Sequence, residues 1–221
     1  NLYNYDNATV KVSIGIGTKA TTNDSLQVIY ELISGTRTQL DTLAELVQLE
    51  TPDERNFKVV SDYTAISDLG TATAGIINIV GNNYSIDLGS NNGIQLANQT
   101  ALNFNDVIVG GNTTLVSATT SDATIGLNNV TLNGNISGAG NNVAISGNTK
   151  LNGVFTNTNT TFSNGTLSFN ENTFADSNNT LNVTGGTVNL ADGVTTNYVI
   201  NSLTSSEDAS YSLDVIFSGT T

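Results

Sequence analysis

The chain has 221 residues, a net charge of −13, and no Cys or His. It is long enough to bury a hydrophobic core in one or two domains. Its 6 basic residues form no cluster of the kind that binds DNA or RNA phosphates, so nucleic acid is excluded as a partner and anionic membrane surfaces are disfavoured.

The first predicted element is a strand at Ala8–Gly17. Apolar and polar or small residues alternate strictly along it, which is typical of a half-buried strand. The apolar positions are Val10, Val12, Ile14 and Ile16.

The second predicted element is helical and covers Asn23–Glu50. Its apolar residues recur at helical spacing in two stripes, and Thr51-Pro52 ends it. The stripes are Leu26, Ile29, Leu32 and Ile33, then Leu40, Leu43, Leu46 and Val47. This helix either binds a partner chain or packs against its own domain.

The rest of the chain, Phe57–Thr221, is predicted to be a parallel β-helix. From Val59 onward it holds 28 Asn and one basic residue, Lys150. Short apolar runs alternate with Asn- and Gly-rich turns, which tolerate positive φ. Three such runs take about 20–25 residues, and the unit then repeats, which predicts a solenoid of roughly seven coils. A β-sandwich of several hairpins is the alternative.

The runs that carry this repeat are three to five residues long, shorter than the usual sandwich strand. Examples are Ile76–Val80, Tyr84–Leu88, Gly93–Leu96, Val130–Leu132, Leu151–Phe155 and Thr187–Leu190. We therefore divide the chain into an N-terminal cap or assembly element, residues 1–56, and a β-helix domain, residues 57–221.

The stretch Ile76–Val109 resembles the passenger domains of bacterial autotransporters and related polymorphic outer-membrane adhesins. The similarity lies in an Ile-rich strand followed by Gly-Asn-Asn-Tyr-Ser-Ile-Asp, Gly-Ile-Gln-Leu and Leu-Asn-Phe-Asn-Asp-Val. Thr161–Gly165 and Leu167–Asn172 are similar to the Phe-x-x-Asn repeats of those proteins. The resemblance implies a right-handed β-helix, secretion and display on a bacterial surface. The C-terminal translocator barrel of that family is not found in this chain.

Groups for catalysis are scarce, so we predict no enzyme activity, no catalytic residue, no metal site and no cofactor. Without His or Cys, no nucleophile–base set can be assembled. Glycoside hydrolysis needs two carboxylates across a cleft. The candidate carboxylates are scattered along the sequence, so we interpret them as solvated residues of surface turns. They are Asp87, Asp106, Asp122 and Asp176. Lys150, the one basic residue after Val59, lies beside turn residues with no acidic residue near it in the sequence.

The ends of the solenoid are the predicted assembly elements, because an uncapped end exposes strand edges. Pairing of the two terminal strands would build a head-to-tail filament between copies or cap the fold within one chain. The assembly residues of this hypothesis are Val10, Val12, Ile14, Ile16, Tyr211, Leu213, Val215 and Phe217.

Together these features predict a non-enzymatic, extracellular structural or adhesive protein of a bacterial surface. A second copy and a host or glycan surface ligand are its candidate partners, and no membrane insertion is expected because no apolar run reaches the ~18–20 residues of a spanning helix. A glycan-active β-helix enzyme and a donor-strand, pilin-like sandwich are the alternatives. The chain contains no Met, so we expect that a leader was removed or that this is part of a longer protein.

Overall fold

The computed structural model describes residues 2–5, 8–11, 29–33, 36–40, 43–48, 54–73, 75–97, 99–120, 122–190, 200, 202–205 and 209–212. Strands dominate this part of the chain. In chain order the elements are β1 (Leu2–Tyr5), β2 (Ala8–Lys11), β3 (Ile29–Ile33), β4 (Thr36–Leu40), α1 (Leu43–Gln48), β5 (Glu54–Lys58), β6 (Tyr63–Thr64), β7 (Gly70–Ala72), β8 (Ile76–Val80), β9 (Ser85–Asp87), β10 (Ile94–Leu96), β11 (Ala101–Ala118), β12 (Thr124–Leu151), β13 (Phe155–Phe169), β14 (Thr180–Val183), β15 (Gly186–Asn189), β16 (Leu203–Ser205) and β17 (Ala209–Ser212).

The strands from β5 onward stack in parallel as a β-solenoid of about six turns. Each turn passes through three faces. Face A contains β5, β8, residues 101–105, 124–128, 141–145 and 158–162, β14 and β16. Face B contains β6, β9, residues 107–110, 130–133, 147–151 and 165–169, β15 and β17. Face C contains β7, β10 and residues 116–118, 136–137 and 155–156. The predicted parallel β-helix is therefore confirmed, with about six turns where the repeat length predicted seven.

The length of a coil varies along the stack. Hydrogen-bonded neighbours on face A are 22, 25 and 23 residues apart in the first coils. Val143 pairs with Thr160 only 17 residues later. In these shorter coils the strand pairing continues around the corners between faces. For this reason β12 and β13 each extend over more than one face. Leu151–Phe155, predicted as one strand, is instead a corner between them.

The core is the interior of the coil, and strict alternation fills it. On face A, Ile77 and Ile79 are fully buried, while Asn78 between them points outward. The same pattern repeats on each coil, so inward side chains stack at the strand spacing of about 4.8 Å. In the C-terminal coils the interior holds Phe155, Phe169 and Phe174, whose rings pack edge to face at 5.2 and 5.0 Å.

The corner between faces A and B requires residues that tolerate positive φ. At least one residue of each coil there has positive φ, which L-residues with branched side chains rarely adopt. These residues are Asn82 (49°) and Asn83 (65°) in one coil, then Asp106 (52°), Asn129 (54°), Gly147 (64°), Gly165 (88°) and Gly186 (81°). The corner thus repeats one backbone conformation through six coils, and the sequence supplies Asn, Asp or Gly each time.

The N-terminal end of the solenoid is covered by non-solenoid elements. Strand β3 pairs antiparallel with both β4 and β5, so a hairpin covers the edge of face A. Helix α1 buries Leu43, Leu46 and Val47 against the core. Arg55 on β5 is fully buried, and its Nη1 donates to the Leu46 and Val47 carbonyls at 2.9 and 3.4 Å.

The predicted helix over Asn23–Glu50 is wrong for most of the described part of that range. Residues 29–33 and 36–40 are the strands of a hairpin, and only Leu43–Gln48 is helical. The apolar positions that suggested a helix stripe also fit a strand that pairs with β5. Of the predicted strand Ala8–Gly17, residues 8–11 form β2, which pairs with β1 in a separate hairpin; the remainder lies outside the described residues. The predicted domain boundary at 56/57 falls within β5.

Candidate functional surfaces

Face A carries a ladder of side-chain hydrogen bonds between coils. Asn103 Nδ2 donates to Asn78 Oδ1 at 2.8 Å, and Asn78 Nδ2 donates to Asn56 Oδ1 at 2.8 Å. Further links of this kind join Asn128 to Asn105, Thr180 to Asn159 and Thr204 to Asn182. Asn78 serves as donor to the preceding coil and as acceptor from the next, so the fold itself satisfies both ends of its amide.

The outward positions of face A are uncharged over most of its length. From β8 to the end of β14 they alternate with the buried core residues. They are Ile76, Asn78, Val80, Ala101, Asn103, Asn105, Thr124, Gly126, Asn128, Asn142, Ala144, Ser146, Asn159, Thr161, Ser163, Thr180, Asn182 and Thr184. These positions form an uncharged and mainly polar surface on a chain whose net charge is −13.

A shallow groove of about 370 Å³ crosses the middle of face A. It lies where the Asn ladder meets small residues. A Cβ added at Gly126 would lie 2.3 Å from Asn103 Oδ1, so the present position of this amide depends on the missing side chain on the next coil. Asn78, Asn103, Asn105 and Asn128 line the groove, with Ala144 and Ser146 at one end.

A second groove, of about 450 Å³, lies where faces B and C meet. Gly70 and Gly93 form its floor, and a Cβ at Gly93 would lie 2.2 Å from the Leu115 carbonyl oxygen. Gly93 therefore lets the neighbouring backbone approach, whereas a Cβ at Gly70 would lie 2.7 Å from Gln48 Nε2 of α1. The wall side chains are Asp68, Thr71, Asn92, Gln95, Thr114 and Ser117.

Two pairs of side chains set the geometry of this groove. The Asn92 backbone N–H donates to Asp68 Oδ1 at 2.7 Å, and Asn92 Nδ2 donates to Oδ2 at 2.9 Å. These two bonds lower the pKa of the Asp68 carboxyl, the backbone bond most. Thr71 Oγ1 donates to Gln95 Oε1 at 2.9 Å and thereby orients the Gln95 amide.

Asp62 makes a similar contact on the first coils. Ser85 donates to Asp62 Oδ1 from its backbone N–H at 2.9 Å and from its hydroxyl at 3.0 Å. Both bonds lower the pKa of the Asp62 carboxyl, the backbone bond more. Asp62 and Asp68 thus each tie the first coil to the second through an ionised carboxylate.

The carboxylates that the sequence offered for catalysis lie on different parts of the coil. Asp87 is exposed on face B, and Asp106 lies at the corner of faces A and B. Asp122 and Asp176 lie in the turns between faces C and A, and Lys150 is exposed on face B. Among the described residues, no three His, Cys, Asp or Glu side chains lie close enough to hold a metal ion.

The described assembly residues already have partners in the backbone pairing of the chain. Val10 pairs with Tyr3 in the first hairpin, and Tyr211 pairs with Val188 as β17 joins β15. The other six fall outside the described residues: Val12, Ile14, Ile16, Leu213, Val215 and Phe217. Pairing between copies remains a prediction.

Sequence reasoning missed the groove between faces B and C and the buried Arg55. The signal for the groove was available, because Asp68 and Asn92, like Thr71 and Gln95, lie 24 residues apart, which is one coil length. No such regularity marked Arg55, since its partners belong to a helix outside the repeat.

Comparison of the chain with protein-family models, curated proteins and solved structures gave no significant match. In the part of the chain that the structure describes, no helix is both long and apolar enough to cross a membrane.

Proposed function

We propose that this chain is a non-enzymatic structural or adhesive segment of an extracellular bacterial surface protein. The observation that carries the proposal is face A, whose outward positions from β8 to β14 are all uncharged. Its amides are held in register by bonds from coil to coil. Such a surface suits repeated contact with another neutral surface, because little charge must be desolvated.

The shape of the fold also supports this proposal. About six turns at ~4.8 Å per turn form a stack roughly 30 Å long. The interior is filled by buried apolar side chains, so the stack is a stiff spacer in which each coil contacts only its neighbours. Stiffness and repetition are properties that a stalk, an adhesin or a fibre subunit uses.

Assembly through the terminal strands is the second part of the proposal. We expect the purified chain to form rods or short filaments in electron micrographs and to show a concentration-dependent size in light scattering. Lys substitutions at Val12 and Ile14 should abolish the large species. Lys substitutions at Thr9 and Ser13, on the opposite side of the predicted strand, are the matched control. A wild-type chain that stays monomeric at high concentration would rule out assembly.

The absence of enzyme activity needs its own test. The chain should release no new reducing ends from neutral or acidic polysaccharides during long incubation at pH 5 to 8. Release that disappears on replacing any one of Asp87, Asp106, Asp122 or Asp176 by Asn would overturn the non-enzymatic assignment and favour the glycan-active alternative.

A further inference from the structure

The groove between faces B and C differs from the groove on face A in how its polar side chains are bonded. Its volume of about 450 Å³ lies within the usual range of small-ligand sites. On face A the amides bond to one another across coils. In the groove between faces B and C, the polar groups bond in isolated pairs and retain capacity for a ligand.

The wall residues offer both donors and acceptors. Each oxygen of the Asp68 carboxylate accepts from Asn92, and each can accept a further hydrogen bond. Because Gln95 Oε1 accepts from Thr71, the Nε2 end of this amide carries the N–H groups that can donate. Hydroxyls of Thr71, Thr114 and Ser117 surround the same space. Neighbouring hydroxyls of a sugar can each donate and accept, so they can bond to both the acceptors and the donors of this groove.

The charge of the groove selects among sugars. Asp68 has a lowered pKa and is ionised at neutral pH, and the whole chain carries −13. Sulfated or carboxylated glycans would be repelled by this field. Neutral sugars are not repelled, and their hydroxyls can donate to the carboxylate.

We propose that the groove floored by Gly70 and Gly93 binds a neutral oligosaccharide of two to four units, with Asp68 and Gln95 as its main polar contacts. This inference rests on the proposed adhesive function and names its ligand class and its site.

The test uses the full chain and a panel of uncharged oligosaccharides of two to four units, with a sulfated counterpart of each. Binding is measured by saturation-transfer NMR and calorimetry. At least one neutral oligosaccharide should bind, and its sulfated counterpart should bind at least tenfold more weakly. Gln95→Ala and Asp68→Asn should each weaken binding by about fivefold or more, as expected for the loss of one hydrogen bond.

Matched controls separate this site from face A and from the fold. Thr161→Ala, at an exposed position of face A, should leave the affinity unchanged, and circular dichroism should show that all variants remain folded. No binding across the panel would overturn the proposal, as would binding that survives both groove substitutions. Stronger binding of the sulfated sugars would also overturn it. Rods in electron micrographs together with no sugar binding would reject the groove while leaving the structural role standing.

Discussion

At the scale of single residues, the buried side chain of Arg55 shows how the N-terminal end of the solenoid is closed. Arg55 lies at an inward position of face A, where later coils have Ile77, Leu102 and Ile125. Its charge is buried at the C-terminal end of α1, where the helix dipole and unpaired carbonyls favour a cation. The side chain therefore fixes α1 against the first coil.

We predict that Arg55→Ala lowers the free energy of unfolding by about 2–4 kcal/mol, because the Leu46 and Val47 carbonyls lose a charged donor. Arg55→Lys should recover part of this loss. Urea unfolding followed by circular dichroism measures both. Lys58→Ala, at an exposed position of the same strand, should change the stability by less than about 0.5 kcal/mol. Equal losses at positions 55 and 58 would contradict the role of Arg55.

Two buried Asn residues, Asn141 and Asn179, lie at the inner corner of faces C and A. Asn179 is buried, donates to the Phe155 carbonyl at 2.7 Å and accepts from Thr158 N and Oγ1 at 2.9 and 3.1 Å. Asn141 pairs in register with Thr158 and is fully buried, but its amide makes no hydrogen bond with the described residues. The same side chain is thus satisfied on one coil and unsatisfied two coils earlier.

Replacement of each by Leu should have opposite effects. Asn141→Leu removes a buried amide without partners, so stability should stay the same or rise. Asn179→Leu should lower the free energy of unfolding by about 2–4 kcal/mol, since it also leaves Thr158 without its acceptor. Thermal and urea unfolding of the two variants, side by side, provide the measurement. A clear loss of stability in Asn141→Leu would show that this amide is satisfied after all.

At the scale of elements, coil-to-coil contacts on the outer surface add to the stability of the backbone ladder. Ser85 and Asn92 on the second coil donate to Asp62 and Asp68 on the first. In both cases the strongest contribution to the lowered pKa is a backbone N–H. The two carboxylates therefore link the first and second coils by hydrogen bonds, next to the N-terminal cap.

This arrangement predicts how stability depends on pH. Because both carboxyls have lower pKa values in the folded chain, their stabilisation is complete above the ordinary Asp pKa of about 4 and is lost as the pH falls through the lowered values. The melting temperature should drop over that acidic range. In the double variant Asp62→Asn, Asp68→Asn the drop should be smaller.

The control for this experiment is Asp87→Asn, since among the contacts described the Asp87 carboxylate accepts only a local bond from the Gly89 N–H within its own turn. Its melting curve should follow that of wild type at every pH. If the melting temperature fell by the same amount at acidic pH in the double variant and in wild type, the Asp62 and Asp68 contacts would be excluded as the cause.

At the scale of the whole molecule, the two ends of the stack differ in kind. The N-terminal end carries the β3–β4 hairpin and α1. The last described strands, β16 and β17, continue the parallel stack on faces A and B. The two ends of the stack are therefore different. One end is covered by elements that do not belong to the repeat, and the other end consists of the repeat itself.

Deletion of residues 1–53 should expose the core of the first coil and leave Arg55 without its carbonyl partners. We expect a lower melting temperature and nonspecific association in light scattering. Deletion of residues 1–20 retains β3, β4 and α1, so its melting temperature should match that of wild type. Equal stability of the two truncated chains would show that α1 and the hairpin do not cap the fold.

The sequence by itself determined the repeating part of the fold. Alternation such as that of Ile76–Val80 places apolar side chains inward, and Asn, Asp or Gly at the corner of faces A and B permits positive φ; both are local properties of the chain. Only the tertiary structure decided the rest. Ile29–Ile33 and Thr36–Leu40 are strands because β5 offers an edge with which β3 pairs, and β4 pairs with β3 in turn, contacts that helical spacing cannot reveal. Likewise, the hydrogen bonds between Asp68 and Asn92 and between Thr71 and Gln95 form only because the coil between them is 24 residues long.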